Sequence, residues 1–438
     1  MQNLLNKLSR NGLQTYLLLF ITYSFLIIFY DPPLGLMDDF KNLEHIQSLN
    51  DNFIIYYLEY NSERTFEKGL FQPLYLIQMY FQYSISNPLF VYLQNLLIVF
   101  TIHYIFIKGL NIFIEINQSI ALIIFLIFPF TNDLFIHPSL QEKYSFLLVG
   151  IVLPLIVKDR KFRYLIFILS FLIPLIKLQG TIFLFLFIAV HRLIKNRNSL
   201  FALVGNFLGI MIQVYVTFFI EGEYKIRSNF DNLISNLKHP INILFLILIF
   251  IYIANVYFSK DFNLIKVSII FSSLAILFIY INFYVLGYLL STYAYFISVI
   301  ITTLLLENTH KLNIKQNQSI AILLFFLIIS ISQYFVPRFE RWSDLNELYT
   351  TLEQDTYGEI YYCSEEASIF LNKTIKNENT INFVNQIKDI EDKNDFLILL
   401  DDFQCNGFSN EVSSDCVAQT IFTTPYQKLL INQVKCKT

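Results

Sequence analysis

Residues 13–30 read LQTYLLLFITYSFLIIFY, and residues 31–41 follow directly as DPPLGLMDDFK. The first stretch is apolar and long enough to cross a bilayer, because a membrane-spanning helix needs about 20 apolar residues and shorter or longer runs adjust by tilting. The second stretch carries two adjacent carboxylates, Asp38 and Asp39, shortly after the predicted helix end. The sequence therefore predicts fixed negative charge at a membrane surface, where the headgroup of a lipid-borne substrate would lie.

The composition of the whole chain agrees with a membrane-spanning segment at residues 13–30. Its 438 residues are 55% hydrophobic, 17% aromatic and 15% charged, with a net charge of -3. Soluble domains carry about 25% charged residues and do not repeat long apolar runs. We therefore predict a polytopic membrane protein, with membrane lipid around it and no nucleic-acid partner. A cleavable signal peptide is not expected, because no small-residue cleavage site follows the first run.

Eleven apolar runs predict an all-α membrane domain over residues 1–336. The pair 163–176 and 178–191 remains open: it forms either two thin spans, with Lys177-Leu-Gln-Gly180 at the turn, or a re-entrant element. The predicted spans are 13–30, 88–107, 111–130, 143–157, 163–176, 178–191, 199–220, 241–258, 264–286, 288–306 and 319–336.

The basic residues between these runs predict the orientation of the chain. With the N-terminus in the cytoplasm, the short basic clusters all fall on the cytoplasmic side, as in other membrane proteins. The opposite side then carries the outer loop 31–87, the loop 221–240 and the tail 337–438. Aromatic residues such as Phe53 and Tyr60 indicate that the outer loop contains helices lying in the membrane interface.

The tail 337–438 has the pattern of a small extracytoplasmic α/β domain. Helices are predicted from Ser343 to Gln354 and from Ser364 to about Ile375, and strands at 358–363, 380–385 and 395–400. All four cysteines of the chain lie in this tail and lack metal-ligand spacing, so we predict two disulfides in an oxidising compartment. Three pairings remain open among Cys363, Cys405, Cys416 and Cys436.

Three groups of polar residues fall on the predicted outer side of the membrane. Charged side chains in membrane segments are costly and are retained mainly where they face a cavity or a partner, so their clustering in one leaflet indicates a site. Simpler interpretations also exist: the aspartates could cap a helix, Glu142 could be a first-turn acid, Lys177 a snorkelling flank and His137 a turn residue. The three groups are Asp38 and Asp39; His137, Gln141, Glu142 and Lys143; and Lys177 and Gln179.

Together, the acidic pair Asp38-Asp39 after the first span, Gln141-Glu142 at the outer start of a later span, and Lys177-Leu-Gln179 resemble the GT-C class of membrane glycosyltransferases. In particular they are similar to the serotype-converting O-antigen glucosyltransferases of bacteria and their phages. This resemblance implies a polyprenyl-phosphate sugar donor, transfer of a hexose such as glucose to an O-antigen-like glycan or another acceptor on the outer face, and a bacterial inner membrane.

The residues are compatible with such chemistry independently of the resemblance. A lipid phosphate is a good leaving group that requires cations or donors around its developing charge, and an acceptor hydroxyl requires a carboxylate base. Asp38 or Asp39 is the candidate base, in a single displacement that inverts the anomeric centre. A Mg²⁺ or Mn²⁺ ion at the two aspartates remains an alternative, because oxygen ligands suit both metals. The predicted phosphate binders are Lys143, Lys177 and Gln179, and the predicted contacts to sugar hydroxyls are His137, Gln141 and Glu142.

Other classes of function remain open at this point. A glycan polymerase or ligase with a diphosphate-linked donor would share the lipid carrier and the outer site. A transporter or flippase would be expected to show repeated halves and charges near the bilayer midplane. A non-catalytic membrane anchor for the tail would not depend on Asp38, Asp39 or Lys177.

Overall fold

A computed structural model of the chain is mostly helical and carries a small sheet near its C-terminus. Asp38, Asp39, His137, residues 319–335 of the predicted span 319–336 and most of the loop 221–240 lie outside the residues that the structure describes. The described residues are 12–30, 32, 45–46, 49, 52–67, 71–83, 87–128, 131, 134–135, 138, 140–158, 160–220, 240–260, 262–283, 286–311, 336–363, 368, 371–372, 378–384, 395–401, 416–424 and 429–436.

The helices follow the apolar runs of the sequence closely. Two short 3-10 segments, Arg160–Phe162 and Leu178–Ile182, precede α7 and α8. In chain order the helices are α1 (Gly12–Tyr30), α2 (Phe53–Phe66), α3 (Tyr75–Tyr83), α4 (Pro88–Leu110), α5 (Gln118–Ile127), α6 (Glu142–Val157), α7 (Arg163–Ile176), α8 (Phe183–Ile194), α9 (Arg197–Phe219), α10 (Pro240–Ser259), α11 (Leu264–Phe283), α12 (Leu286–Lys311) and α13 (Val336–Gln354).

Four helices in the described part of the chain are long and apolar enough to cross a membrane. They are the segments Gly12–Phe29, Pro88–Leu110, Arg197–Thr217 and Asn242–Ser259, which lie in α1, α4, α9 and α10. Further apolar helices are shorter, among them Arg163–Ile176 and Thr292–Glu307. The structure therefore supports a helical protein of membrane character, and a count of eleven spans stays a prediction.

The predicted span 111–130 differs most from the observed helix. Residues 111–117 form turns, and α5 has only ten residues. Asn117 ends the turn region because its side-chain oxygen accepts a hydrogen bond from the Ile120 amide at 3.1 Å, which caps the helix. Ten residues extend about 15 Å, half the thickness of the hydrocarbon core, so α5 alone is too short to cross it.

The chain divides into two compact units. The first unit comprises Met1–Tyr23, Ser48–Ser84 and Gln94–Ile331, and the second comprises Ser24–Gln47, Ile85–Leu93 and Ser332–Thr438. In the first unit an aromatic core joins α4, α6, α8 and α12, since the ring of Phe146 lies 4.9 Å from Phe106, 5.1 Å from Phe183 and 4.4 Å from Tyr295.

Glycines allow the closest helix contacts in the first unit. A Cβ atom at Gly205 would lie 2.5 Å from the Phe167 carbonyl oxygen, and one at Gly209 would lie 2.3 Å from that of Phe171. The spacing Gly-x-x-x-Gly puts both glycines on one face of α9, where small residues let two helix backbones approach. Helices α7 and α9 therefore pack with their backbones nearly in contact.

The second unit contains a five-stranded sheet in the order β2-β1-β3-β5-β4. Strands β1 (Glu359–Tyr362), β2 (Thr380–Phe383) and β3 (Asp395–Asp401) run parallel, while β4 (Cys416–Thr423) and β5 (Leu429–Cys436) are antiparallel neighbours. The strands predicted at 358–363, 380–385 and 395–400 are confirmed, and β4 and β5 were not predicted. Leu345, Leu348 and Leu352 of α13 recur at helical spacing and belong to the hydrophobic core against this sheet.

Two details of the tail depart from or add to the predictions. The predicted cap Ser343 is wrong, because α13 already begins at Val336 and Ser343 lies inside it. Cys363 and Cys416 are disulfide-bonded. Cys436 stands opposite Cys416 in the β4–β5 ladder, while Cys405 and the side chain of Cys436 lie outside the described part of the chain.

Candidate functional site

Five buried or half-buried polar side chains of the first unit make two neighbouring sets of contacts at the start of α6: the Glu142–Lys177 ion pair, and the hydrogen bonds of Lys143 to Gln82 and Asn95. We call them the polar cluster: Gln82, Asn95, Glu142, Lys143 and Lys177. Gln82, Asn95 and Lys143 are fully buried, Glu142 is 1% exposed, and the Lys177 side chain is 21% exposed. Lys177 is therefore the member of the cluster that solvent or a ligand reaches most readily.

Glu142 and Lys177 form an ion pair between the Glu142 Oε1 atom and the Lys177 ammonium. Glu142 is the first residue of α6, and Lys177 follows the last residue of α7. A helix N-terminus favours negative charge and a helix C-terminus favours positive charge. Each helix end therefore stabilises the charge placed on it, in addition to the attraction between the two side chains.

A tight turn after α7 holds Lys177 in place. The Gly180 amide donates to the Lys177 carbonyl oxygen at 2.8 Å, and a Cβ atom at Gly180 would lie 2.3 Å from the Ile173 carbonyl oxygen. The hydroxyl of Ser145, in the first turn of α6, donates to the same Ile173 oxygen at 3.4 Å. The turn can close against α7 only because residue 180 has no side chain.

Lys143 is a buried cation surrounded by neutral oxygen acceptors. Its ammonium donates to the Asn95 Oδ1 atom at 2.5 Å, to the Pro138 carbonyl oxygen at 2.8 Å and to the Gln82 Oε1 atom at 3.4 Å. The Gln82 oxygen also accepts from the Tyr144 hydroxyl at 3.5 Å. These acceptors replace part of the water shell that burial removes from the ammonium.

Sequence reasoning missed Gln82 and Asn95, although both complete the site. The Asn95 amide also donates to the carbonyl oxygens of Leu134 and Phe135 at 2.6 and 3.0 Å. A signal was present, because an asparagine inside the apolar run 88–107 is expensive in a membrane and is retained for a partner. The missing information was the identity of its partners, since the two carbonyl oxygens belong to a short helical segment about 40 residues later in the chain.

Two buried oxygen atoms at the start of α6 have no hydrogen-bond partner among the described residues. They are the Glu142 Oε2 atom and the Gln141 Oε1 atom. Buried acceptors in folded proteins are almost always paired with a donor. Each of these two oxygens can therefore accept a hydrogen bond from a hydroxyl group.

Among the residues singled out in the sequence, the structure brings Lys177 to Glu142, and Gln141 and Lys143 are the chain neighbours of Glu142. Gln179 lies in the 3-10 turn two residues after Lys177. Asp38, Asp39 and His137 belong to the parts of the chain that the structure leaves undescribed, so their predicted roles stay predictions. Among the described residues, no group of three or more histidine, cysteine or acidic side chains could hold a metal ion.

Two further polar contacts lie elsewhere in the first unit. Lys266 of α11 pairs with Glu307 of α12, and the Asn255 amide donates to the Glu307 Oε2 atom at 2.7 Å. In α4, the buried His103 ring shares a hydrogen bond of 2.6 Å with the Tyr16 hydroxyl. Both contacts join helices to one another, and neither contacts the polar cluster in the interactions described.

Comparisons with protein-family models, with curated proteins and with solved structures found no match for this chain.

Proposed function

We propose that this protein is a polytopic membrane glycosyltransferase that moves a hexose from a polyprenyl-phosphate donor to a glycan or lipid-linked glycan acceptor. The observation that carries the proposal is the Glu142–Lys177 ion pair, whose second carboxylate oxygen is buried without a described partner. It combines a partly exposed cation, suited to a phosphate, with open acceptors, suited to sugar hydroxyls. A purely structural ion pair would not require the open oxygens.

The proposed reaction assigns a role to each group. The acceptor hydroxyl oxygen attacks the anomeric carbon, the bond between that carbon and the phosphate oxygen breaks, and the lipid phosphate leaves with the bonding electrons. Lys177 stabilises the charge that develops on the phosphate, since a cation is most effective where charge appears in the transition state. Glu142 and Gln141 accept hydrogen bonds from sugar hydroxyls.

The base that receives the acceptor proton is proposed from the sequence alone. Asp38 or Asp39 takes this proton, because both aspartates follow the first span and would lie beside the lipid headgroups. One displacement inverts the configuration of the anomeric carbon. Lys143 positions the start of α6 through its buried hydrogen bonds, and we do not assign it direct contact with the donor.

The proposed topology follows the positive-inside rule. The N-terminus lies in the cytoplasm, an odd number of spans crosses a bacterial inner membrane, and the tail with its cysteines lies in the periplasm. The disulfide bonds of Cys363 and Cys416 support this side for the tail, because disulfides persist in oxidising compartments.

The test is sugar transfer by the purified protein in nanodiscs, with a synthetic polyprenyl-phosphate hexose as donor and a panel of glycan acceptors. We expect Lys177→Ala and Glu142→Gln to lower kcat/KM by about 100-fold or more, since single charged groups at transferring phosphates contribute on that scale. Asp38→Asn and Asp39→Asn identify the base, because only the variant that lacks it loses turnover.

A matched control is available in the second buried ion pair. Glu307→Gln breaks the Lys266–Glu307 pair in the same unit, and it should leave transfer within about threefold of the wild type if the effect of Glu142 is specific to the site. If wild-type protein transfers no sugar from monophosphate or diphosphate donors, or if Glu307→Gln is as damaging as Glu142→Gln, the proposed function is wrong.

A further inference from the structure

An aromatic stack joins α2 to α3 in the first unit. The rings of Tyr56 and Tyr60 stack with their centroids 6.1 Å apart, and those of Tyr60 and Tyr75 stack at 5.9 Å. The Tyr57 hydroxyl donates to the Pro73 carbonyl oxygen at 2.6 Å and ties α2 to the segment before α3. The stack is therefore a fixed surface built by two short helices.

Arg64 lies on this surface. Its guanidinium carbon is 4.4 Å from the centroid of Tyr75 and 5.5 Å from that of Tyr60, and its Nη1 atom donates to the Tyr60 hydroxyl at 2.7 Å. The guanidinium is thus held in one orientation by ring faces and a single hydroxyl.

Arg64 forms no ion pair with any residue that the structure describes. Its Nε–H is buried without an acceptor in the described part of the chain. Burial raises the pKa of the Tyr60 phenol, although Arg64 itself acts in the opposite direction, so the hydroxyl beside the guanidinium stays neutral. A buried N–H donor is normally paired with an acceptor, and on a cation an anionic acceptor makes the strongest hydrogen bond.

The position of Arg64 relates it to the polar cluster. Tyr75, Gln78 and Gln82 recur at i, i+3 and i+7 in α3 and therefore share one face of the helix. The Tyr75 ring contacts the Arg64 guanidinium. Gln82, which accepts a hydrogen bond from Lys143, lies two turns further along α3, about 10 Å along the helix axis. Between them, the buried Gln78 Oε1 atom has no partner among the described residues.

We propose that Arg64, on the ring faces of Tyr60 and Tyr75, binds a phosphate group of a membrane lipid. A guanidinium offers planar N–H donors to phosphate oxygens, and with Nη1 on the Tyr60 hydroxyl the Nη2 group has no hydrogen-bond partner among the described residues. The polyprenyl-phosphate carrier and an ordinary phospholipid headgroup both present this chemistry. Only the assignment of the carrier as ligand rests on the proposed function.

The experiment measures lipid binding to the full-length protein in detergent by native mass spectrometry. The probes are polyprenyl phosphate, the unphosphorylated polyprenol and phosphatidylglycerol. Arg64→Gln should weaken polyprenyl-phosphate binding about tenfold, the scale of one lost charge-assisted contact, and should leave polyprenol binding unchanged. Arg64→Lys keeps the positive charge but lacks the planar guanidinium. Its affinity for polyprenyl phosphate should lie between those of the wild type and Arg64→Gln.

Arg163 provides a matched control. Its guanidinium carbon lies 4.8 Å from the Tyr164 ring centroid, and its Nη2 atom donates to the Tyr164 hydroxyl at 3.3 Å, but it lies on the predicted cytoplasmic side. Arg163→Gln should leave all three affinities unchanged. Equal losses for polyprenol and polyprenyl phosphate in Arg64→Gln would show that Arg64 only packs α2 against α3, and would overturn the inference, as would an equal effect of Arg163→Gln.

The lipid probes distinguish the polyprenyl-phosphate carrier from a phospholipid headgroup as the source of the phosphate. Together with the transfer assay, they also let the lipid-phosphate site and the proposed function be tested separately. A loss confined to polyprenyl phosphate identifies the carrier as the ligand, whereas equal losses for polyprenyl phosphate and phosphatidylglycerol identify a phospholipid headgroup. If Arg64-dependent binding is found in a protein that transfers no sugar, the proposed function fails and the lipid-phosphate site stands. If sugar transfer succeeds while Arg64→Gln binds every probe like the wild type, only the inference fails.

Discussion

Lys143 is the residue at which most of the buried polar contacts of the cluster meet. At the start of α6, its ammonium donates to the Gln82 side chain of α3, the Asn95 side chain of α4 and the Pro138 carbonyl oxygen. Removing an ammonium from water costs several kcal/mol unless such contacts replace the lost hydration. Position 143 therefore couples the geometry of the site to the folding of the unit, which is why we assign it a positioning role.

Replacing one of its acceptors should expose this coupling. Asn95→Leu removes the closest acceptor of Lys143 and the donor to the Leu134 and Phe135 carbonyls, so we expect a loss of stability of about 3 kcal/mol. The control is Gln94→Leu, which removes the neighbouring amide, a half-buried group with a contact to the Phe81 carbonyl. Thermal unfolding in detergent measures the stability of both variants. Equal losses of stability in Asn95→Leu and Gln94→Leu would contradict a special role for Asn95.

At the scale of helices, close packing decides where the site residues stand. Pro174 lacks an amide hydrogen, so the Ser170 carbonyl of α7 is free of its usual helical partner. The Asn206 amide of α9 lies 3.4 Å from that carbonyl oxygen. The glycines at 205 and 209 bring α9 near enough for this contact, and the same proline lies three residues before Lys177.

A methyl group at the α7–α9 contact should therefore separate the helices. Gly209→Ala places a Cβ atom 2.3 Å from the Phe171 oxygen and 2.6 Å from the Pro174 ring, and we expect a loss of about 1–3 kcal/mol from overpacking. At Gly12, the nearest atom to an added Cβ is the flexible Gln118 side chain at 3.2 Å. Gly12→Ala should leave the melting temperature unchanged; a Gly209→Ala protein as stable as the wild type would refute the packing argument.

At the scale of the whole molecule, the second unit draws on three separate parts of the chain. The tail prediction began at residue 337, whereas the unit also includes Ser24–Gln47 and Ile85–Leu93. Within it the Trp342 indole packs at 5.4 Å against the Tyr92 ring, edge to face, and is only 8% exposed. Part of the environment of α13 is thus supplied by residues about 250 positions earlier.

Trp342 is the one tryptophan of the chain, so its fluorescence reports this contact without interference. Tyr92→Ala should shift the emission to longer wavelength, because water then reaches the indole, while Tyr92→Phe keeps the ring and should retain the wild-type spectrum. An unchanged spectrum in Tyr92→Ala would show that Tyr92 does not shield Trp342 in solution.

The sequence predicted elements better than it predicted contacts. Apolar runs at 88–107, 199–220 and 241–258 became helices with nearly the same ends, because hydrophobicity and helix formation in a membrane are both local properties. Strands β4 and β5 were missed, since a strand is specified largely by packing against its cross-strand neighbours, and β4 pairs only with β5. The span 111–130 was overestimated because turn residues and apolar residues alternate at its start.

By itself, then, the sequence determined the membrane character of the chain, the positions of most helices and the choice of Glu142, Lys143 and Lys177 as site candidates. All three follow from the cost of placing charge or bare backbone in an apolar medium. Only the tertiary structure decided that Glu142 pairs with Lys177, that Gln82 and Asn95 hold Lys143, and that Arg64 lies on Tyr75. Those contacts join residues on different helices, and their partners are set by how the helices pack rather than by any local pattern.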